Sequence, residues 1–238
     1  MDRNYMEAEA KRLKQILDEH APEFNDRFLA AESKVVYEQY GLGGLVFHRG
    51  YYSPSLVSDS IIGNYTRGRL RKTMPDHPDY IYGFDSDHRL ITVKKNSEHG
   101  FCGREYILRD GQTEIGIGSE YLDNTSLSIS ECKFDRERLL SCAFGFTCIW
   151  FPQLMELREE QYTYLENELL VEIYNFHPGQ APIKINGQYR YPEQHEKYCF
   201  RVENGRLVSY TREIIVGDTV KKDPHVYRPL KRKIPGYR

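Results

Sequence analysis

A strand–turn–strand pattern recurs four times between residues 80 and 215, at 82–91, 134–140, 164–170 and 202–208. Each copy places an aromatic or branched residue before a polar corner, and a Leu followed by another aliphatic residue after it. A hairpin must bury its apolar face on its neighbours. The recurrence therefore predicts an antiparallel sheet of adjacent hairpins, with short sequence separations between paired strands.

Helical periodicity is confined to residues 4–40, where apolar residues follow the spacing of one helix face. Pro22 is expected to start a second helix or kink the first, and Gly41 to end the segment. No long helix is predicted between the later strands, which argues against a parallel α/β sheet. The predicted fold class is mainly β (α+β), an antiparallel β-meander of repeated hairpins with an N-terminal helical element.

The patterns divide the chain into four parts. Residues 1–41 form the helical element, 42–79 a connecting region with short strands, 80–220 the hairpin sheet, and 221–238 a basic C-terminal tail. Seven Lys or Arg against one Asp give the tail a charge of +6, so residues 1–220 carry −8 of the total −2. An acidic body with a basic end is expected to favour charged partners.

Composition limits the cellular setting. The N-terminus lacks the apolar core of a secretory signal, and no run reaches the roughly 18 apolar residues of a membrane span. The five cysteines are odd in number and lie in or beside strand-like runs, which favours free thiols in a reducing cytoplasm. The 19 tyrosines suit half-hydrated sheets. We therefore expect a cytoplasmic protein that does not enter a membrane.

The first hairpin resembles the YD (RHS) repeat, which reads Tyr-x-Tyr/Phe-Asp-x-x-Gly-Arg-Leu. Its matching residues are Tyr82, Phe84, Asp85, Arg89 and Leu90, whereas His88 replaces the glycine of the family. The other copies are more diverged. The resemblance implies an aromatic residue on one strand stacked over a Leu on the return strand. Small proteins with such hairpins also occur beside polymorphic toxins, as immunity proteins, so the resemblance implies a function of that type.

Motifs for catalysis and metal binding are weak. The sequence contains no CxxC, HxxxH or GxSxG motif, and the segment Gly41-Leu-Gly-Gly44 lacks the spacing and the lysine of a phosphate loop. We therefore assign no catalytic, metal or cofactor-binding residue, expect no cofactor, and lean against an enzyme. The alternative is a hydrolytic enzyme whose site is assembled from dispersed His and Glu residues.

A run of carboxylates around residues 156–172 suggests a binding surface. Glu166, Glu168 and Glu172 have the parity of one strand face, and Tyr162 and Tyr164 would supply aromatic anchors. We predict a non-enzymatic protein-binding module, with these five residues as the contact site. The specific hypothesis is a cytoplasmic immunity protein that neutralises a bacterial toxin by covering the basic active site of the toxin domain.

A third hypothesis is association with nucleic acid. Arg67, Arg69, Arg71 and Lys72 form a basic cluster near Tyr65, and the tail adds further cations. Asp76 and Asp79 dilute the charge of the cluster, and no known nucleic-acid-binding motif accompanies it. A nucleic-acid partner is therefore predicted to be unlikely. The pattern does not determine the oligomeric state.

Overall fold

The computed structural model describes residues 3–46, 48–62, 65–97, 100–119, 126–147, 155–178, 183–185, 188–190, 194–216, 219–223 and 226. The chain separates into two compact units. We call Gln15–Glu131 the N-terminal unit, and Met1–Lys14 together with Cys132–Arg238 the C-terminal unit.

Helices occupy the beginning of the chain. Helix α1 spans Arg3–His20 and α2 spans Phe24–Glu32, while α3 is a single turn at Ser58–Ile61. A 3₁₀ turn at Ala21–Glu23 holds Pro22 and joins α1 to α2, as the proline predicts. A second 3₁₀ turn spans Gly50–Tyr52.

The helical prediction for residues up to 41 extends too far. Helix α2 ends at Glu32, and strand β1 covers Tyr37–Leu42. Strand β1 pairs antiparallel with β3, with Tyr37 opposite Phe84. The β-branched and aromatic run Val35-Val36-Tyr37 favours extended backbone, and pairing with a central strand outweighs the helical spacing of Val35.

The remaining strands follow in chain order. They are β2 (Arg69–Arg71), β3 (Tyr80–Phe84), β4 (Leu90–Ser97), β5 (Gly100–Asp110), β6 (Thr113–Ser119), β7 (Leu127–Asp135), β8 (Arg138–Thr147), β9 (Met155–Tyr164), β10 (Glu168–Phe176), β11 (Ile183–Ile185), β12 (Gln188–Arg190), β13 (Gln194–Glu203), β14 (Arg206–Val216) and β15 (Thr219–Lys222).

Thirteen of the strands in the described ranges form one sheet. Its order is β15-β14-β13-β10-β9-β8-β7-β6-β5-β4-β3-β1-β2, and β11 and β12 form a separate antiparallel pair. Most neighbours in the sheet are also neighbours in sequence, so the fold is an antiparallel meander. The predicted fold class is confirmed.

All four copies of the repeated pattern are hairpins: β3–β4, β7–β8, β9–β10 and β13–β14. In the first, the Asp85 carboxylate accepts hydrogen bonds from the Asp87 and Arg89 N–H groups at 3.0 and 2.8 Å. His88, which stands where the YD repeat has glycine, has φ 62°. Arg136 of the second hairpin likewise has φ 55°, so a left-handed residue is needed in both corners.

In the N-terminal unit, apolar side chains are buried on both faces of the strands. One face buries Tyr80, Tyr82 and Phe84, which pack with Leu90, Val93 and Ile107. On the other face, the ring of Phe24 in α2 lies 5.5 Å from that of Tyr106, and the Tyr106 hydroxyl lies 2.8 Å from Nδ1 of His20. Burial raises the pKa of Tyr106 to about 12.

The C-terminal unit buries most of one face of β10 and β13. Leu169, Val171 and Ile173 alternate along β10, and Tyr198 and Phe200 continue this face on β13. The opposite face is covered at one end by the first turns of α1, where the guanidinium of Arg3 lies 5.3 Å from the centre of the Phe176 ring. Lys221 and Lys222 belong to β15, and most of the basic tail lies outside the described residues. No helix among the described residues is long and apolar enough to cross a membrane.

Candidate protein-binding surface

The five residues proposed as a contact site lie on both faces of the sheet. Tyr162 pairs with Val171 and Tyr164 with Leu169, so both tyrosines share the face of these buried residues. Glu168 and Glu172 project from the opposite face, since neighbouring residues of a strand alternate. Glu166 is exposed in the turn between β9 and β10. The structure therefore does not bring the five residues together in one patch.

The two tyrosines are engaged within the C-terminal unit. The buried hydroxyl of Tyr162 donates a short hydrogen bond to Glu160, which also accepts two hydrogen bonds from Arg158 at 3.0 and 2.9 Å. The guanidinium of Arg138 lies 5.3 Å from the centre of the Tyr164 ring. Tyr162 therefore stabilises a buried carboxylate, and Tyr164 is covered by a cation.

Glu172 is neutralised by its neighbours on β13. Its carboxylate lies 2.9 Å from Nζ of Lys197 and 3.0 Å from Nε2 of His195, and it accepts a short hydrogen bond from Tyr174. Burial would raise the pKa of Glu172, but the hydrogen bonds from Tyr174 and Lys197 outweigh it and lower the pKa to about 2. This face carries ion pairs rather than an unpaired acidic surface, and Glu168 is exposed at its edge.

A different feature stands out in the N-terminal unit, the irregular segment 43–79. Within its described residues (43–46, 48–62 and 65–79), the regular structure consists of one 3₁₀ turn, the single-turn helix α3 and the three-residue strand β2. Segments of this length without much regular structure are uncommon in compact domains and are frequently functional. Three groups of buried or polar contacts fix its course.

The first group is centred on Arg49. Its side chain is only 2% exposed and forms ion pairs with Glu105 at 2.8 Å and Glu114 at 2.5 Å. It also donates a hydrogen bond to the Ser130 hydroxyl at 2.9 Å. Burial would raise the pKa of Glu105, but the charges of Arg49 and His48 and their hydrogen bonds hold it well below its usual range. Gly116 makes room for the pair, because a Cβ there would collide with the Arg49 guanidinium and the Glu105 carboxylate.

The second group is centred on Arg67. Its buried guanidinium binds Asp59 at 3.0 Å and donates short hydrogen bonds to the carbonyl oxygens of Ser53 and Ser55. Gly44, at φ 84°, lies so close to the Arg67 carbonyl that a Cβ would collide with it. Arg67 therefore holds α3 and the Gly44 turn together and is not available to bind phosphate, unlike the sequence-based hypothesis for this cluster.

The third group joins the segment to strand β3 and joins its two ends to each other. The Tyr82 hydroxyl donates to the Arg49 carbonyl at 3.0 Å and accepts from the Tyr51 N–H at 3.0 Å. The Asp79 carboxylate accepts from the Gly43 N–H at 2.6 Å. Segment 43–79 is thus irregular in backbone but anchored at both ends and at its centre.

The same segment exposes an unusual set of side chains. Six large apolar side chains are exposed within thirty residues, and Met74 and Tyr65 reach 63% and 54% exposure. Arg69, Arg71 and Lys72 are also exposed, and none of them forms an ion pair with a described residue. We call these nine residues the 45–74 surface: Leu45, Val46, Tyr51, Ile62, Tyr65, Arg69, Arg71, Lys72 and Met74. Tyr, Met and Arg are enriched at protein interfaces.

A small cleft lies beside His48 and Arg49. Its lining includes Tyr80, Lys95, Glu105, Ser119 and Ser128, and the cavity volume is about 40 Å³. This volume holds a few water molecules and is too small for a sugar or a nucleotide. Among the described residues, no group of three or more His, Cys, Asp or Glu side chains is placed to hold a metal ion.

Neither anchoring arginine could be singled out from the sequence. Arg49 contacts residues 56, 65 and 81 positions later, and sequence spacing carries no signal for such pairs. The usable signal was the density of glycines at 41, 43, 44, 50 and 68, which marks tight backbone contacts. No family model matches the chain, and comparison with the curated proteins and with the solved structures also found no match.

Proposed function

We propose that this chain is a non-enzymatic protein-binding module that docks its partner on the 45–74 surface. The observation that carries the proposal is a long irregular segment, fixed by buried Arg49 and Arg67, that exposes six apolar side chains and three cations without ion-pair partners among the described residues. A fixed segment loses little conformational entropy on binding, and exposed aromatic, Met and Arg side chains are typical of binding surfaces.

The charges favour a partner whose contact region is acidic at its rim. Arg69 and Arg71 point the same way from the edge strand β2, and Lys72 follows them. Cations on an edge strand also oppose unspecific pairing with strands of other chains. They therefore suit a surface that binds one partner selectively.

The immunity hypothesis is the competing form of this proposal. In this form the partner is a bacterial toxin domain whose basic active site is covered in the cytoplasm, and a basic site suits acidic contact residues better than the cations of the 45–74 surface. We expect the toxin domain to lose its activity when one molecule of this protein is bound to each toxin molecule. The glutamates Glu166 and Glu168 remain the competing contact site.

The test is affinity capture from the native host with three tagged proteins. They are the wild type, the surface variant Tyr65→Ser/Arg71→Glu/Met74→Ser, and the turn variant Glu166→Lys/Glu168→Lys. All substituted residues are exposed, so all three proteins should fold alike, which thermal unfolding checks. We expect a stoichiometric protein partner with the wild type and the turn variant, and its loss from the surface variant.

The opposite pattern, with capture lost only in the turn variant, would transfer the contact site to the glutamates. Recovery of nucleic acid that is lost at high salt would replace the protein partner by an RNA or DNA. If none of the three proteins retained anything, the binding function would fail and the hydrolytic alternative would gain support.

A further inference from the structure

We propose that strand β2 is a docking edge, to which the partner adds an extended acidic segment as a further strand of the sheet. The inference rests on the proposed function for the existence of a protein partner, and it specifies how that partner binds. The chemistry of the added segment follows from β2 itself.

Strand β2 lies at one end of the sheet and keeps unpaired backbone groups. Within the described ranges it pairs only with β1, where Leu70 lies opposite Gly41. Successive residues of an antiparallel strand direct their N–H and C=O groups to its two sides in turn. A strand with a single neighbour therefore offers donors and acceptors to a second strand, which is how extended peptides bind to sheet edges.

The edge is fixed before any partner binds. Gly68, at φ 84°, precedes β2, and a Cβ there would collide with the Leu42 carbonyl oxygen, so the chain enters β2 in close contact with β1. Within the strand, Leu70 packs against the buried cluster that contains Tyr80 and Tyr82. A preformed edge loses little conformational entropy when a second strand is added.

The side chains of β2 give the edge a positive charge. Arg69 and Arg71 are exposed and share one face, because residues two apart on a strand point the same way, and exposed Lys72 follows them. None of the three forms an ion pair in the part of the chain that the structure describes. Asp76 is the only anion of residues 69–76, so three cations and one anion give this stretch a charge of +2.

This charge favours an acidic strand over other occupants. Glu38, on the arginine face of β1, is paired with Lys94 at 3.5 Å and does not pair with Arg71. A second copy of this chain at the same edge would bring cations beside cations, and like charges on neighbouring strands are destabilising. An acidic strand instead gains both the backbone ladder and charge-assisted contacts with the arginines.

The alternation along β2 predicts an alternation along the added segment. A strand beside β2 places its side chains in turn next to the two arginines and next to Leu70, which is half-buried. Acidic residues suit the first positions, and an apolar residue suits the second. The expected segment therefore reads acidic–apolar–acidic.

A short peptide tests the edge without the partner. The probe is acetylated and amidated Glu-Val-Glu-Val-Glu, and the amide signals of Arg69, Leu70 and Arg71 are followed by NMR during its titration. We expect saturable shifts with a dissociation constant of about 1 mM. Those β2 amides that exchange rapidly with solvent in the free protein should exchange more slowly with the peptide bound.

Two related peptides separate strand addition from attraction by charge. The isomer Glu-Glu-Glu-Val-Val has the same charge without the alternation. A copy of the probe that is methylated at every backbone nitrogen keeps the side chains but has no N–H donors. Both should bind at least about fivefold more weakly than the probe. Equal binding of the three peptides would overturn strand addition.

Two exposed arginines of the N-terminal unit provide matched variants. Arg71→Gln removes a cation of β2, whereas Arg89→Gln removes a cation at the β3–β4 corner, where Arg89 pairs with Asp87 at 3.4 Å. Arg71→Gln should weaken binding of the probe about threefold, and Arg89→Gln should leave it unchanged. Equal losses in both variants would mean that the overall charge attracts the peptide, and would overturn the assignment to β2.

Competition during affinity capture separates this inference from the proposed function. A captured protein that the probe displaces, and that Arg71→Gln binds more weakly, supports both. A captured protein that is lost from the surface variant but is insensitive to the probe and to Arg71→Gln leaves the proposed function intact and overturns strand addition. Binding of the probe without any captured protein supports the docking edge but overturns its use by a protein partner.

Discussion

The two units bury charge by different means. In the C-terminal unit, carboxylates are stabilised by tyrosines of the same strand. Glu160, Glu172 and Glu196 each accept a short hydrogen bond from the tyrosine two positions later. In the N-terminal unit a single arginine from an irregular segment enters the face of the sheet and joins residues from β5, β6 and β7. The first arrangement stabilises a sheet strand by strand, whereas the second contributes to fixing an irregular segment on the sheet.

The difference has consequences for stability and for binding. A strand-local pair is formed whenever its strand is formed, so its loss should be a local event. The Arg49 pairs form only when segment 43–79 lies on the sheet, so their loss should release the segment. Substitutions in both units test this difference.

The largest expected effect is that of Arg49→Met. Removal of the guanidinium leaves Glu105 buried without its main partner, which should lower the free energy of unfolding by about 3–5 kcal/mol. Chemical denaturation at neutral pH measures it. Arg89→Met is the control, because Arg89 is exposed and, among the described residues, forms an ion pair only with exposed Asp87. Adding Glu105→Gln to Arg49→Met should recover part of the loss, and no recovery would show that the ion pair is not the cause.

Gly116→Ala tests the same site from the other side of the contact. The added methyl group collides with the Arg49 and Glu105 side chains, and the overpacking should cost about 1–3 kcal/mol. Gly111→Ala has no atom within 4 Å of the added Cβ and measures only the cost of its positive φ. In an Arg49→Met background the penalty at Gly116 should shrink. An unchanged penalty would mean that Gly116 is required for another reason.

Tyr162→Phe probes the strand-local arrangement. The substitution removes a donor to Glu160, which is fully buried, and should cost about 1.5–3 kcal/mol. The matched control is Tyr40→Phe, because Tyr40 donates to the half-buried Glu38 at 3.1 Å and should cost less than about 0.5 kcal/mol. Equal costs would remove the distinction between buried and accessible Glu–Tyr pairs.

Glu159→Gln should stabilise the protein by about 1 kcal/mol at neutral pH. Glu159 is 4% exposed, and one of its oxygens has no hydrogen-bond partner among the described residues. Burial raises the pKa of Glu159, and the negative charge of Glu9 adds to the shift. A raised carboxyl pKa means that wild-type stability decreases as the pH rises from about 4.5 towards the folded-state pKa. Unfolding curves at pH 5 and 7 should therefore show a larger gain for the variant at pH 7, and an equal gain at both would contradict the assignment.

The smallest effect concerns the hairpin corners. Arg136 is exposed and adopts φ 55°, which costs a residue with a Cβ more than it costs glycine. Arg136→Gly should stabilise the protein by only about 0.5 kcal/mol, because the relief of left-handed strain is partly offset by the larger backbone entropy that glycine loses on folding. Lys133→Gly, within β7, should instead destabilise it. A loss of stability at Arg136 would show that its side chain contributes contacts of its own.

Local patterns in the sequence were sufficient for the meander but not for the binding surface. The hairpins were predicted from short-range signals such as Asp85 and the Asn204-Gly205 corner, and the structure has hairpins at both places. Strand β1 was missed because pairing of Tyr37 with Phe84 is decided by a distant strand. The anchor Arg49 was missed for the same reason, whereas Arg67 was assigned to a basic cluster although its partners Ser53, Ser55 and Asp59 are close in sequence. Among the proposed contact residues, parity predicted a shared face for Glu168 and Glu172, but the cross-strand partners of Glu172 on β13 could not be inferred.

Hydrogen exchange of the chain alone tests the central claim, that segment 43–79 is irregular but held as firmly as the sheet. Amides of Tyr52, Ser53, Ser60 and Ile61 bond to carbonyl groups within the segment, and the Tyr51 amide bonds to Tyr82. We expect slow exchange in wild-type peptides that cover residues 50–62. In Arg49→Met this protection should be lost, while peptides from β9 and β10 stay protected. Exchange of the wild-type segment at the rate of an unstructured chain would contradict it.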